Sequence, residues 1–429
     1  MRQAHVLSIS TLAAMAMAAD ARAGGFYLQE QSVRGTGRAY SGEVADTGVA
    51  SLWWNPAAIA RSGREAYVGL HGVIVDGRVS NQGSTITYPN GLSVQVQGQP
   101  LAFKPIEPGL LPNLAVAMPV GDRLALGWSA SAPYNFTTKY DTRSWVRYDA
   151  LTSDLRTVDL QFTGAFRATD WLDLGVAANV ERTEAFLSSA FPNLSPLLPD
   201  GRTDLQGKGW DWGWSVGAQA HFDKLTLGAS YKSKIDHKLD GTVTVSGLLP
   251  PFPAAANFSA DASASVSTPW IATLGARYAL TDRLTLNGQV QRVGWGEFDA
   301  IRVRLPTAVQ VIEQNYEDVT TGGVGLDYAV SPKLTLRTGV QYDPTPTPDI
   351  GRTARVPDGD RWLFGVGATA NATERLKVDA ALGYIHFKDS RINRTDVTGA
   401  GTPAATTTRL SGDVKGAGYV MSLGVRTSF

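Results

Sequence analysis

Histidine, serine and the acids are the side chains that most often make and break bonds, and along this chain they do not converge. The five histidines are His5, His71, His221, His237 and His386. His221 adjoins a turn, and no neighbouring serine and acid complete a nucleophile, base and orienting group. No Gly-rich loop ends in a phosphate-cradling Lys, and no His/Cys cluster has zinc spacing. Catalytic residues, metals and cofactors are therefore not expected. The residues that stand out are apolar or alter the backbone. Pro133-Tyr134-Asn135 ends an alternating stretch, and proline, lacking a ladder donor, belongs at an edge or a break in a sheet. In a wall facing lipid, a missing hydrogen bond exposes polar backbone at a cost of several kcal/mol unless something else satisfies it. Phe191-Pro192-Asn193-Leu194-Ser195-Pro196-Leu197-Leu198-Pro199 and Leu248-Leu249-Pro250-Pro251-Phe252-Pro253 are dense in apolar residues and proline. Such loops are unfavourable in water unless they pack or bind. They close on each other as a lid, or form an oily entry site, or both. The chemistry on offer is transfer of an oily molecule, each methylene gaining about 0.8 kcal/mol on leaving water.

The elements that would position these residues follow from a repeated phrase: a turn residue, an acid or Pro, usually a basic residue, then Leu, any residue, and Leu or Val. It occurs six times, opening at Gly121-Asp122, Thr169-Asp170, Asp223-Lys224, Thr281-Asp282, Ser331-Pro332 and Thr373-Glu374. Each copy is a polar turn opening a strand of period two. Leu334, Leu336, Thr338, Val340 and Tyr342 alternate with Thr335, Arg337, Gly339 and Gln341. The phase holds for about ten residues, the span of a tilted membrane strand and longer than the usual five or six. The strands entering the turns carry aromatics (Trp210, Trp212, Trp214, Trp270, Trp362), as an interfacial girdle requires. Six hairpins give twelve strands. One before them, about 64–80, and one after, about 411–429, make fourteen. The expected fold is an all-β, 14-stranded antiparallel transmembrane β-barrel, with tight turns at one end and long connections at the other. The long connections are expected over 81–111, 188–207, 247–259, 343–360 and 393–410, with lid loops near 188–207 and 247–259. Arg277, Arg337, Arg361 and Lys377 fall on faces expected to line the lumen.

Composition agrees. The chain has 429 residues, no cysteine and 18% charged residues, below the usual quarter or so. Its 39 basic and 39 acidic residues balance, so no net charge favours nucleic acid. There is no run of 18 apolar residues to make a spanning helix. Arg2, the apolar stretch Val6–Ala19 and Ala21-Arg22-Ala23 read as a secretory signal over 1–23, with the mature chain beginning at Gly24.

Residues 24–62 lack long alternation. They are too apolar for a free tail, and a barrel this size has an open lumen unless something fills it. They are expected inside as a plug (hatch), with 63–429 as the barrel and with short helices starting at Ser, Asp46 and Asn55-Pro56. The run Gly25-Phe26 through Gly37-Arg38-Ala39-Tyr40-Ser41-Gly42, followed by Asn55-Pro56-Ala57, resembles the plug of the long-chain fatty acid transporter family of Gram-negative outer membranes (the FadL type, which includes aromatic-hydrocarbon uptake proteins). The terminal alternation Tyr419, Met421, Leu423, Val425, Thr427, Phe429 is similar to an outer-membrane assembly signal.

The resemblance implies passive uptake of a long-chain fatty acid or a related hydrophobic compound. Ligand would collect between the two lid loops, at Leu197, Leu198, Leu248, Leu249 and Phe252. It would pass to a pocket near the mature N-terminus, where Phe26 matches the family's Phe and Leu28 lies nearby. It would leave sideways where a kink opens the third strand, at Pro133, Tyr134 and Asn135. The family's basic residue at the end of the fifth strand is replaced by Ser188, which leaves room for aromatic or alkane hydrocarbons. A general porin or a barrel enzyme is the alternative of another class. The implied surroundings are the outer membrane with its lipopolysaccharide, the barrel-assembly machinery and a monomeric state.

Overall fold

The computed structural model describes residues 25–306 and 308–429; the signal segment expected over 1–23 lies outside them. Fourteen strands form the wall. β1 is Glu65–Asn81, β2 Gly109–Val120, and β3 Leu124–Ser131 resuming as Asn135–Lys139. β4 is Thr152–Arg167, β5 Leu172–Phe191, β6 Gly201–Phe222, and β7 Leu225–Lys232 resuming as Ile235–Ser246. β8 joins Phe258–Thr268 to Trp270–Ala279, β9 joins Leu284–Gly294 to Ala300–Arg304, and β10 joins Val309–Glu313 to Val319–Ser331. β11 is Leu334–Asp343, β12 Arg361–Asn371, β13 Leu376–Phe387 with Ser390–Thr398, and β14 Thr406–Ser428. Neighbours pair antiparallel, and β14 returns to β1 from Glu65↔Ser428 to Asn81↔Gly412, so the sheet closes with no free edge.

All six repeated phrases are hairpin turns, as at Val120↔Leu124 and Phe222↔Leu225. The Thr that opens three of them has a structural reason. Its hydroxyl accepts the amide of the first leucine of the next strand: Thr169 from Leu172 (3.0 Å), Thr281 from Leu284 (3.0 Å), Thr373 from Leu376 (2.9 Å). Each strand then shows an apolar outer face, with Leu274 66% and Leu423 64% exposed, values that only a lipid environment makes tolerable. Inner faces bury polar groups such as Asn113, Gln161, Gln219 and Gln341.

Two expected connections are shorter than their sequence suggests. β5 and β6 stay paired out to Phe191↔Gly201, so the lid loop read over 188–207 is only 192–200. β13 and β14 pair out to Thr398↔Thr406, so the connection read over 393–410 is 399–405. Beyond the lipid belt both strand faces are polar (Arg202, Thr203, Asp204), and alternation, the signal used to find strands, disappears.

Residues 25–60 are buried almost throughout. Their partners are inward-facing residues around the ring: Asn113 on β2 donates to Gln31, Gln161 on β4 to the Leu52 carbonyl, Gln219 on β6 to Val44, and Gln341 on β11 to Gln29. A segment bonded to opposite sides of a closed wall lies in its lumen. Ser32 caps the helix Val33–Gly37, accepting from Gly35, and Asn55 caps the short turn Pro56–Ile59, accepting from Ala57. Asp46 starts no helix, contrary to expectation, because its carboxylate is committed to Arg38 and Arg34. Wall glycines admit the plug backbone directly: a Cβ on Gly339 would lie 2.1 Å from the Arg38 carbonyl oxygen.

Candidate functional site

The plug is anchored by a buried charge cluster. Arg38 meets Glu43, Asp46 (2.5 Å) and Asp327 of β10 (3.1 Å). Asp327 also takes Arg277 of β8 (2.7 Å) and Arg337 of β11 (3.2 Å). Asn55 completes the attachment, its Nδ2 donating to the Val44 carbonyl and to Ala218 of β6. Three of the four lumen cations singled out from sequence are thus spent on anchoring or wall pairs, since Arg361 is bound to Asp343. Lys377 sits in the first pair of the β12–β13 ladder, at the tight-turn end.

Above the anchor, Phe26 turns into an aromatic nest with Trp295 (4.8 Å between centroids), Phe298 (4.9 Å), Phe136 (5.8 Å) and Tyr134 (6.0 Å). Beside it lies a cavity of about 840 Å³, open mouth included. Phe26, Phe136, Leu155, Leu239, Val266 and Phe298 make its walls mostly apolar. Its polar groups include Asp154, His237 and Arg355, the last on the β11–β12 connection and flagged by no sequence pattern. The Arg355 guanidinium donates to the Ser153 hydroxyl (3.1 Å) and the Ser188 carbonyl (3.3 Å), with Asp149 at 4.0 Å. Burial pushes this guanidinium below its ordinary pKa, while Asp149 pulls it back up. A cation therefore reaches Ser188, where the expected base was missing, from a different element.

Leu28 is fully buried but does not line the cavity; its amide donates to the Pro133 carbonyl at 2.8 Å. That bond explains the behaviour of β3. Its pairing with β2 stops at Leu114↔Ala130. Its pairing with β4 stops at Ser131↔Asp159 and resumes at Asn135↔Arg156, leaving three residues of β3 against two of β4. Asn135 fills the break with its side chain, Oδ1 accepting the Thr157 amide (3.1 Å) and Nδ2 donating to its carbonyl (3.3 Å). The Tyr134 amide goes to the Thr157 hydroxyl. From Ser129 to Thr138 the strand is buried, turned off the wall towards the plug.

The two loops meet over this chamber. Asn193 bonds the carbonyls of Pro199 and Gly247 and accepts the Leu249 amide, and Phe191 packs edge-on against Phe252. Leu248 is buried and Phe252 partly so in this second cluster, whereas Leu197 is 92% exposed at a loop tip beside Leu198. None of Leu197, Leu198, Leu248, Leu249 or Phe252 lines the cavity beside Phe26; Leu205 and Ile301, which line the cavity and pack in the loop cluster, connect the two.

Comparison with known proteins places this arrangement. Residues 14–429 match the family model described as "Outer membrane protein transport protein (OMPP1/FadL/TodX)". The chain is 26% identical to Outer membrane protein P1 of Haemophilus influenzae (strain Rd) over 93% of its length and 94% of that protein's. It is 25% identical to the Long-chain fatty acid transport protein of Escherichia coli (strain K12), covering 90% and 93%. Its fold is similar to the crystal structure of a Pseudomonas aeruginosa FadL homologue (TM-score 0.83, 24% identity, 94% and 100% covered). It is also similar to the Pseudomonas putida toluene transporter TodX (TM-score 0.67, 18% identity, 95% and 100% covered). A closed barrel with a lipid-facing apolar belt, matched by the family over nearly all its length, is an outer-membrane transporter of hydrophobic compounds, and the chain belongs to the OMPP1/FadL/TodX family.

Proposed function

We propose that this protein takes up long-chain carboxylates passively and releases them sideways into the membrane at the break in β3. The observation that carries the reading is the cavity beside Phe26, mostly apolar and with Arg355 among its polar lining, which also includes Asp154 and His237. An alkyl chain gains about 0.8 kcal/mol per methylene there, and a carboxylate takes the bidentate fork that Arg offers. Burial disfavours the Arg355 charge, so an arriving anion relieves a cost already present. The interrupted ladder at Ala132–Tyr134 supports the exit, because an oily ligand that leaves through the wall avoids water. The apolar loops support capture from outside.

The alternative within the family, uptake of neutral aromatic or alkane hydrocarbons, is favoured by the aromatic nest around Phe26. Arg355→Met separates the two. Oleate affinity of the purified protein is expected to fall about tenfold, the value of roughly one charge-assisted hydrogen bond, with toluene and hexadecane binding unchanged. Equal loss for all three ligands, or no loss for oleate, overturns the carboxylate reading.

A further inference from the structure

The wall has another discontinuity, three strands further round the ring from β3. β6 and β7 pair from Phe222↔Leu225 up to Ser215↔Lys232, and again from Lys208↔Asp240 outward. Between these stretches Gly209–Trp214 and Ser233–Leu239 share no ladder pair, and seven steps on β6 face eight on β7. Three substitutes hold the seam. Ser233 gives its amide to the Trp214 carbonyl (2.8 Å) and takes the Trp214 amide on its hydroxyl (2.9 Å). Asp211 accepts the Lys238 amide on its carboxylate (3.1 Å).

The seam runs beside the ligand chamber. His237 and Leu239 line the cavity beside Phe26, together with Gly207 just above them. Lower down, Gly213, Trp214, Ser233 and Ile235 line a smaller cavity of about 330 Å³ that also touches Pro133 and Tyr134. Outside, the same stretch of β6 presents Trp210, Trp212 and Trp214, with Trp212 74% exposed. Such rings sit where lipid meets water. Chamber, weakly bonded wall and aromatic surface are therefore stacked in one line.

We propose that the β6–β7 seam is a second lateral outlet, parting between Gly209–Trp214 and Ser233–Leu239 to pass an alkyl-chain ligand from the chamber to the lipid. This rests on the reading that the cavity beside Phe26 holds the ligand. Parting here breaks three hydrogen bonds, two of them to side chains that can swing with their own strand, and the contact of His237 with Asp211 (3.4 Å). An unbroken membrane ladder would leave a row of amides and carbonyls unsatisfied.

The test uses the absence of native cysteine. A Cβ on Gly213 lies 2.9 Å from the Ser233 hydroxyl, so Gly213→Cys with Ser233→Cys can be joined by oxidation and released by reductant. Transfer of radiolabelled oleate from the full-length protein to liposomes is expected to slow at least about twofold on oxidation, as for closing one of two parallel gates, and to recover on reduction. Oleate bound per barrel is measured alongside. Bound oleate with equal transfer in both redox states overturns the outlet alone. An unmodified protein that binds no oleate overturns the chamber reading and the outlet with it. If the cysteines do not join, a diazirine-bearing fatty acid photolysed in the unmodified protein gives the same decision. Adducts on the outward-facing Trp210, Trp212 or Trp214 support the seam, and adducts confined to the chamber wall or to β2 and β3 overturn it.

Discussion

Arg38 has no solvent to fall back on. It answers Glu43 and Asp46 from its own segment and Asp327 from the wall, so its removal leaves three acids facing one another in the lumen with only Arg34, Arg277 and Arg337 nearby. Arg38→Met is expected to lower stability by about 3–5 kcal/mol, the cost of orphaning a buried charge. The check is the temperature at which the detergent-solubilised barrel unfolds, and an unchanged midpoint would show that the anchor is redundant. Phe26 works differently. Its ring touches Trp295 and Phe298 at under 5 Å, with Phe136 and Tyr134 further out. Phe26→Ala removes those contacts and roughens the chamber wall, so the oleate dissociation constant is expected to rise roughly tenfold, aromatic pairs contributing about 0.5–1.5 kcal/mol each. Calorimetry on the purified protein reads this directly.

At the scale of the element, β3 is held off the wall by bonds that have no ladder counterpart. Asn135 stands in for backbone against Thr157, and Leu28 takes the Pro133 carbonyl that β2 does not reach. Pro133→Val with Asn135→Val restores a donor and removes the stand-in. Uptake of oleate by cells is expected to fall severalfold while binding at the cell surface persists; undiminished uptake would remove this exit. These elements differ in how far sequence reveals them. Turns such as Thr281-Asp282-Arg283 are local chemistry, a hydroxyl reaching the amide three residues on, and they can be read from four letters. The break at Pro133 is likewise written in one residue. The seam at Ser233 is not, because Ser and Asp mimic backbone partners only when two strands are already side by side. Arg355 is invisible for the same reason: its neighbours Ser153 and Ser188 lie 202 and 167 residues away. The outer reaches of β5 and β6 escape a reading by alternation because water on both faces removes the contrast on which it depends.

For the whole molecule, wall and plug divide the work. The wall's inner face carries Arg277, Asp327, Arg337 and Asp379, groups that would line a wet pore if nothing covered them. Deleting residues 25–60 is expected to convert the protein into an ion-conducting channel in planar bilayers, since a 14-stranded ring is wide enough to hold water. Conductance no greater than that of the intact chain would mean that the loops, not the plug, seal the lumen.

The attachment of residues 25–60 also dictates an order of events. Their bonds reach β2, β4, β6, β11 and β14, and glycines such as Gly339 leave no clearance between them and the staves. The first strand and the last are the two that meet to finish the ring. A cork so tightly fitted cannot be driven in once the cask is hooped. Residues 25–60 must already be folded in place when the final stave is hammered home, so this segment is the mould on which the rest is cast.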